Sequence, residues 1–204
     1  MSTYNERRFQ LVLKITRVVT MIITVIFWVL IVGSIIGLVV LVILDPTRLT
    51  FTLADLPTIP RQFPRQFENI RIDWDAIIGD ASFSLRLPLL IFSGAIFTSG
   101  VIGLWVIRQI RGLLHDVKED RPFSINNAGR LFQISYSMIA YSILTPLTGM
   151  LLGWSILRQL EITTRDGFGF SINFGLLFVA ALLYILAHIF SYGAHLQEEV
   201  DGTV

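Results

Sequence analysis

The 204-residue sequence contains no cysteine and few charged residues. Without cysteine the chain cannot form a disulfide framework, a thiolate metal site or a cysteine nucleophile. Charged residues make up 15 % and hydrophobic residues 53 %, whereas soluble domains carry about 25 % charged residues. The net charge of +1 also argues against direct nucleic-acid binding, which needs a local excess of Lys and Arg. The composition therefore indicates an integral membrane protein.

The sequence also lacks the common motifs of enzymes and cofactor-binding proteins. It has no GxSxG, no HExxH, no phosphate-binding glycine loop and no dinucleotide-binding fingerprint. We therefore predict a non-enzymatic protein with no catalytic residues, no metal site and no cofactor.

Four apolar segments are long enough to cross a bilayer, which takes about 20 residues. They cover residues 18–44, 88–107, 131–157 and 173–193. The first is longer than the apolar part of a secretory signal, roughly 7–15 residues, and is interpreted as an uncleaved span. The sequence predicts an all-α membrane protein in which residues 1–204 form a single four-span domain. Pro146 is expected to kink the third span.

The second helix is expected to continue beyond its span, because apolar residues keep helical spacing from Ile107 to Val117. Arg121-Pro122 should end it, and Ser124 is a suitable N-cap for the next helix. Small residues of the second span should let a neighbouring helix approach closely: Ser93, Gly94, Ser99, Gly100 and Gly103.

The two remaining loops, 45–87 and 158–172, lie on the opposite side from segment 108–130. Polar and apolar residues alternate at 49–53, 70–74 and 82–87, as in half-buried strands. In Leu160–Ile172 two alternating runs meet at Asp166-Gly167, a strong hairpin signal. These patterns predict a small extracytoplasmic β-cap.

The density of basic residues predicts the orientation. The side that holds both termini and segment 108–130 carries nine of the 16 basic residues, and both lysines: Arg7, Arg8, Lys14, Arg17, Arg108, Arg111, Lys118, Arg121 and Arg130. Because Lys and Arg near span ends favour the cytoplasm, we expect both termini and a loop at 108–130 to be cytoplasmic.

A polar stripe on the fourth helix is formed by Tyr184, His188, Ser191 and His195, which fall at i, i+4, i+7 and i+11. It could line a proton path, or His188 could bind a haem or metal. His188 and His195 are about 10 Å apart, too far to share one ion. The simpler interpretation is that His188 is hydrogen-bonded to hydroxyl groups of the third span.

Two stretches resemble a known family. The first consists of Leu113-Leu114, Val117, Arg121-Pro122-Phe123, Asn126-Asn127 and Arg130-Leu131. The second includes Ala187, Phe190, Gly193, Leu196, Gln197-Glu198-Glu199, Asp201 and Thr203-Val204. This pattern is similar to the bacterial four-span membrane proteins of the DUF2975 family, a domain of unknown function. The resemblance implies a location in the bacterial inner membrane. Such proteins are often encoded beside a small helix-turn-helix repressor, which implies a membrane partner for a regulator.

Both stretches lie on the side expected to be cytoplasmic. We therefore predict a partner-binding surface there: Arg121, Asn126, Asn127, Arg130, Glu198 and Glu199. Glu198 or Glu199 could pair with Arg111 or Arg130, while the neighbouring His115-Asp116 is interpreted as a solvated face.

Two functional hypotheses follow. The chain is a regulatory or signalling partner of a cytoplasmic transcriptional regulator, or it is an accessory structural subunit packed in the bilayer against a larger membrane complex. An intramembrane enzyme or transporter is disfavoured, because no charged residue lies deep in a span.

Overall fold

Four long helices dominate the computed structural model, which describes residues 2–52, 82–118, 125–159 and 171–201. The helices are α1 (Ser2–Ile43), α2 (Arg86–Lys118), α3 (Ile125–Gln159) and α4 (Phe174–Asp201). A 3-10 turn at Pro46–Leu49 and two three-residue strands, β1 (Thr50–Thr52) and β2 (Ser82–Ser84), lie between α1 and α2. The prediction of a helical protein built on four long helices is confirmed.

Each helix contains a segment long and apolar enough to cross a membrane. These segments are Lys14–Ile43, Arg86–Val117, Ile125–Gln159 and Phe174–Leu196. Large apolar side chains cover much of the helix surfaces, with Ile43 and Phe174 more than three-quarters exposed. Such surfaces suit lipid rather than water. The chain is a multi-pass membrane protein.

Helix α2 continues past the predicted span to Lys118, as its apolar spacing predicted. Because α3 begins at Ile125, much of the segment expected to be a loop at 108–130 is helical. Arg121-Pro122 and the predicted cap Ser124 lie outside the described residues. Pro146 lies inside α3 without ending it.

The two short strands pair antiparallel, with Thr50 opposite Ser84 and Thr52 opposite Ser82. The predicted strand at 82–87 is too long, because α2 begins at Arg86. The β-cap as a whole remains a prediction, since residues 70–74 and most of the Leu160–Ile172 hairpin lie outside the described residues.

The chain divides into two compact units. Unit 1 comprises Met1–Ile31, Thr98–Ser142 and Asn173–Val204, and unit 2 comprises Val32–Phe97 and Ile143–Ile172. The assignment of residues 1–204 to a single domain remains a prediction.

In unit 1, small residues bring α1 and α2 together. A Cβ atom built on Gly103 would lie 2.3 Å from the Phe27 ring, and one built on Gly100 would lie 2.6 Å from Ile31 Cγ1. Only a residue without a side chain allows so close an approach. The prediction of a close helix neighbour is confirmed at these two glycines.

Helices α3 and α4 of unit 1 also pack through small residues. Ala180, Ala187 and Ala194 recur every seven residues and are almost fully buried. Ser135 on α3 is fully buried, and its hydroxyl donates to the Ala180 carbonyl over 2.8 Å. At Ala180 the small side chain lets the two backbones approach.

In unit 2, hydrogen bonds join the helices and strands. The Ser93 hydroxyl donates to the Ser34 carbonyl over 2.8 Å, and both serines are buried. The Ser84 backbone N–H donates to Gln159 Oε1 over 2.7 Å, which ties β2 to the end of α3. The strand pair is therefore attached to a spanning helix.

Candidate functional site

An ion pair joins the end of α2 to the start of α3. Arg130 NH1 lies 2.6 Å from Asp116 Oδ2 and also donates to Asn127 Oδ1 over 2.9 Å. Asn127 is fully buried, whereas the Arg130 and Asp116 side chains are 26 % and 18 % exposed. The arrangement stabilises the connection between the two helices.

Helical spacing places these groups on facing sides of their helices. Gly112 and Asp116 are one turn apart on α2, and Asn127 and Arg130 are three residues apart on α3. A Cβ atom built on Gly112 would lie 2.5 Å from the Arg130 guanidinium carbon. Glycine at 112 therefore provides the space that the arginine side chain occupies. We call these four residues the α2–α3 lock.

A second arginine of α2 contacts α1. Arg111 NH2 donates to the Thr24 hydroxyl over 2.8 Å and to the Thr20 carbonyl over 3.3 Å. The Thr24 hydroxyl in turn donates to the Thr20 carbonyl over 2.6 Å. The charged end of α2 is thus attached to α1 as well as to α3.

Aromatic rings and a histidine form a cluster between α3 and α4. The Phe132 ring lies 4.9 Å from the His188 ring and 5.1 Å from the Tyr184 ring, both in edge contacts. Tyr184 also contacts His188 at 4.9 Å and Tyr136 at 6.1 Å. Edge contacts of this kind are the favoured geometry of aromatic pairs. Tyr136, Tyr184 and His188 remain exposed.

His188 lies inside the part of α4 that is long and apolar enough to span a membrane, Phe174–Leu196. It contacts Phe132, which is only two residues beyond Arg130 of the lock, or about 3 Å along α3. His188 therefore lies in the half of this segment that is nearer to Arg130 of the lock. Within the described residues its partners are rings, in place of the expected hydroxyl groups of the third span.

Only part of the polar stripe predicted on α4 belongs to this cluster. Tyr184 and His188 belong to it, whereas Ser191 and His195 lie further along the helix. In the part of the chain that the structure describes, no group of three or more His, Asp or Glu side chains could hold a metal ion.

Unit 1 also contains a cavity of about 380 Å³ to which all four helices contribute. Its lining is largely apolar and includes Phe27, Val106, Met138 and Leu176. The hydroxyl groups at its wall belong to Ser99, Ser137 and Tyr141.

Comparison with known proteins identifies the family. The family model described as "Protein of unknown function (DUF2975)" matches residues 79–204, or 126 of the 204 residues. The chain belongs to the DUF2975 family. No curated protein and no solved structure matches it. The matched region contains α2, α3, α4 and the whole α2–α3 lock, and it confirms the resemblance predicted from the residues around Arg121-Pro122.

In this DUF2975 protein, two of the six predicted partner-binding residues have partners within the chain. Asn127 and Arg130 point into the α2–α3 lock. Asn126 and Glu199 are exposed. Arg121 lies outside the described residues, and Glu198 is helical without a described side chain.

The acid that pairs with Arg130 lies on α2. From the sequence, Glu198 or Glu199 could pair with Arg111 or Arg130, and Asp116 is interpreted as part of a solvated face. In the described residues Arg130 pairs with Asp116, while Arg111 donates to Thr20 and Thr24. Gly112 and Asp116 were missed, although their one-turn spacing on the apolar-patterned end of α2 was visible in the sequence.

Proposed function

We propose that this DUF2975 chain is a non-enzymatic membrane protein that acts as a regulatory or signalling partner of a cytoplasmic transcriptional regulator. The α2–α3 lock is the observation that carries the proposal. It holds together the two helix ends that flank segment 119–124, which contains Arg121. A binding segment anchored at both ends loses less conformational entropy on binding than a free one.

The partner would contact Arg121, Asn126, Glu198 and Glu199, which we call the docking surface. Asn126 and Glu199 are exposed at the start of α3 and near the end of α4. Asn127 and Arg130 have a different role in this proposal. They support the docking surface from inside, through the contacts with Asp116 and Gly112.

The proposal places both termini and the docking surface in the cytoplasm of a bacterium, with the spans in the inner membrane. The basic residues in the first part of α1, the last part of α2 and the first part of α3 support this orientation.

Cysteine labelling tests the orientation in a chain that has no native cysteine. Single cysteines at Ser2, Lys118 and Asp166 are treated with a membrane-impermeant maleimide in intact spheroplasts. We expect labelling at position 166 and protection at positions 2 and 118 until the membrane is permeabilised. Labelling of position 2 or 118 in intact spheroplasts would contradict the orientation.

Co-purification tests the regulatory role. The tagged full chain is recovered from native membranes without crosslinking, beside an Arg121→Ala/Asn126→Ala variant and a deletion of residues 197–204. We expect the wild type to recover a small DNA-binding protein, and both variants to lose most of it, because each removes part of the docking surface.

Arg108→Ala is the matched control, since Arg108 is an exposed arginine of α2 outside the docking surface. It should recover the regulator as the wild type does. Equal recovery by both docking variants and the control would refute the docking surface.

A role as an accessory subunit is the second candidate, favoured by the exposed rings of unit 1. Four exposed side chains lie on two helices: Tyr136 on α3, and Tyr184, His188 and Tyr192 on α4. Side chains with an apolar body and a polar tip suit a contact between proteins near the membrane interface. A stoichiometric large membrane assembly in the same purification would favour this role over the regulatory one.

The extracytoplasmic β-cap is part of the same proposal. The β1–β2 pair and its hydrogen bond from Ser84 to Gln159 support it, because Gln159 directly precedes the predicted Leu160–Ile172 hairpin. The hairpin would add strands to a pair that is marginal by itself. The cap is the part of the chain that could receive an external signal.

A further inference from the structure

We propose that the cavity of unit 1 holds one acyl chain of a bilayer phospholipid. All four helices contribute to its wall, and every lining residue lies within a segment long and apolar enough to span the membrane. The cavity therefore opens among spans, where the surrounding solvent is hydrocarbon.

The cavity is partly open to its surroundings, so that a chain from the bilayer can enter it. Its volume of about 380 Å³ is more than twice that of an engineered cavity of about 150 Å³ which binds benzene or xenon. Protein interiors otherwise contain few voids larger than a water molecule, because an unfilled wall loses its dispersion contacts. An apolar group seated against this wall would supply those contacts.

Water does not suit this wall. A buried water molecule needs two to four polar partners, and the cavity offers few. The Ser137 hydroxyl already donates to the Gln133 carbonyl of its own helix over 2.7 Å, and Tyr141 also has a partner. The remaining wall is formed by groups such as Ile23, Ile102 and Leu176. The ligand is therefore apolar.

A single acyl chain matches both the volume and the surroundings. The cavity has room for roughly a dozen groups of about 30 Å³, the liquid volume of a water molecule, and a methylene group is of similar size. Phe27 forms one wall with its ring held against Gly103. A phospholipid can insert one chain here while its headgroup stays at the interface, because the cavity lies on the hydrocarbon side of the α2–α3 lock along α2 and α3.

Native mass spectrometry of the full chain tests the proposal, with the protein extracted in mild detergent and washed until loosely held lipid is lost. We expect one phospholipid to remain on the wild type. Val106→Phe places a ring in the space that the acyl chain would occupy, and should lower the retained fraction by roughly tenfold or more. Val101→Phe makes the same change on the same helix at a side chain 46 % exposed, and should retain lipid as the wild type does.

A second cavity variant distinguishes the loss of the cavity from a folding defect caused by Val106→Phe. Ser137→Leu fills the cavity from α3 and loses only a hydroxyl bonded within its own helix. Its retention should fall in the same way, while circular dichroism and gel filtration match the wild type. The proposal is overturned if the wild type retains no lipid, if the adduct has the mass of a free fatty acid, or if the folded cavity variants retain phospholipid as Val101→Phe does.

Discussion

Replacing Ala180 with leucine is expected to lower the free energy of unfolding by about 1–3 kcal/mol. Ala180 is fully buried, and its carbonyl accepts the Ser135 hydroxyl over 2.8 Å. Three added carbon atoms would therefore push α4 away from α3 and stretch a buried hydrogen bond. In a bilayer or detergent there is no hydrophobic gain to offset the lost contact, because helix association rests on close packing and hydrogen bonds. Unfolding in a graded mixture of mild detergent and SDS measures the effect.

Ala181→Leu is the matched control, with the same change one residue along α4. Ala181 is exposed, so leucine there would face lipid or detergent, and stability should stay within about 0.5 kcal/mol of the wild type. If the two variants unfold at the same SDS fraction, the packing of α3 against α4 through small residues is wrong.

Breaking the ion pair of the α2–α3 lock is expected to have the second large effect. Asp116→Ala removes the carboxylate that pairs with the Arg130 guanidinium, and Arg130→Ala removes one donor from Asp116 and one from the buried Asn127. Removing one partner of a fully buried pair costs about 3–5 kcal/mol. Because these side chains keep 26 % and 18 % of their exposure, solvent screening reduces the expected loss to about 1–3 kcal/mol.

The double variant Asp116→Ala/Arg130→Ala isolates the pair. It should be less unstable than the sum of the single variants, with a coupling of about 0.5–3 kcal/mol, as for residues in direct contact. Arg108→Ala is the control, since it removes an exposed arginine of α2. Additive losses in the double variant would show that Asp116 and Arg130 do not interact.

Much of this architecture could be predicted because its causes are local in the sequence. A helix that crosses a bilayer needs only an apolar run of sufficient length, and four such runs are present. The continuation of α2 to Lys118 also follows from apolar spacing within one helix. Likewise, Gly100 and Gly103 could be predicted as contact points, because small residues in a span have few other uses.

The candidate site depended on relations between helices that local patterns do not contain. By sequence, Asp116, Glu198 or Glu199 could each pair with Arg130, and which one does is decided by how the helices are rotated toward each other. In the folded chain, Asp116 and Gly112 face α3 and contact Arg130. Asn127 and Arg130 therefore became supports of the connection, although their polarity had suggested a surface that a partner touches.

The neighbours of His188 were decided in the same way. By sequence it belongs to an apolar run at 173–193, and hydroxyl groups of the third span are its expected partners. The offset of α4 along α3 is set by the contact of Ala180 with Ser135 and of His188 with Phe132. The sequence by itself determined that there are four spanning helices and where small residues permit close packing. Only the tertiary structure decided their rotation and offset, because these are fixed by side-chain contacts between residues far apart in the chain.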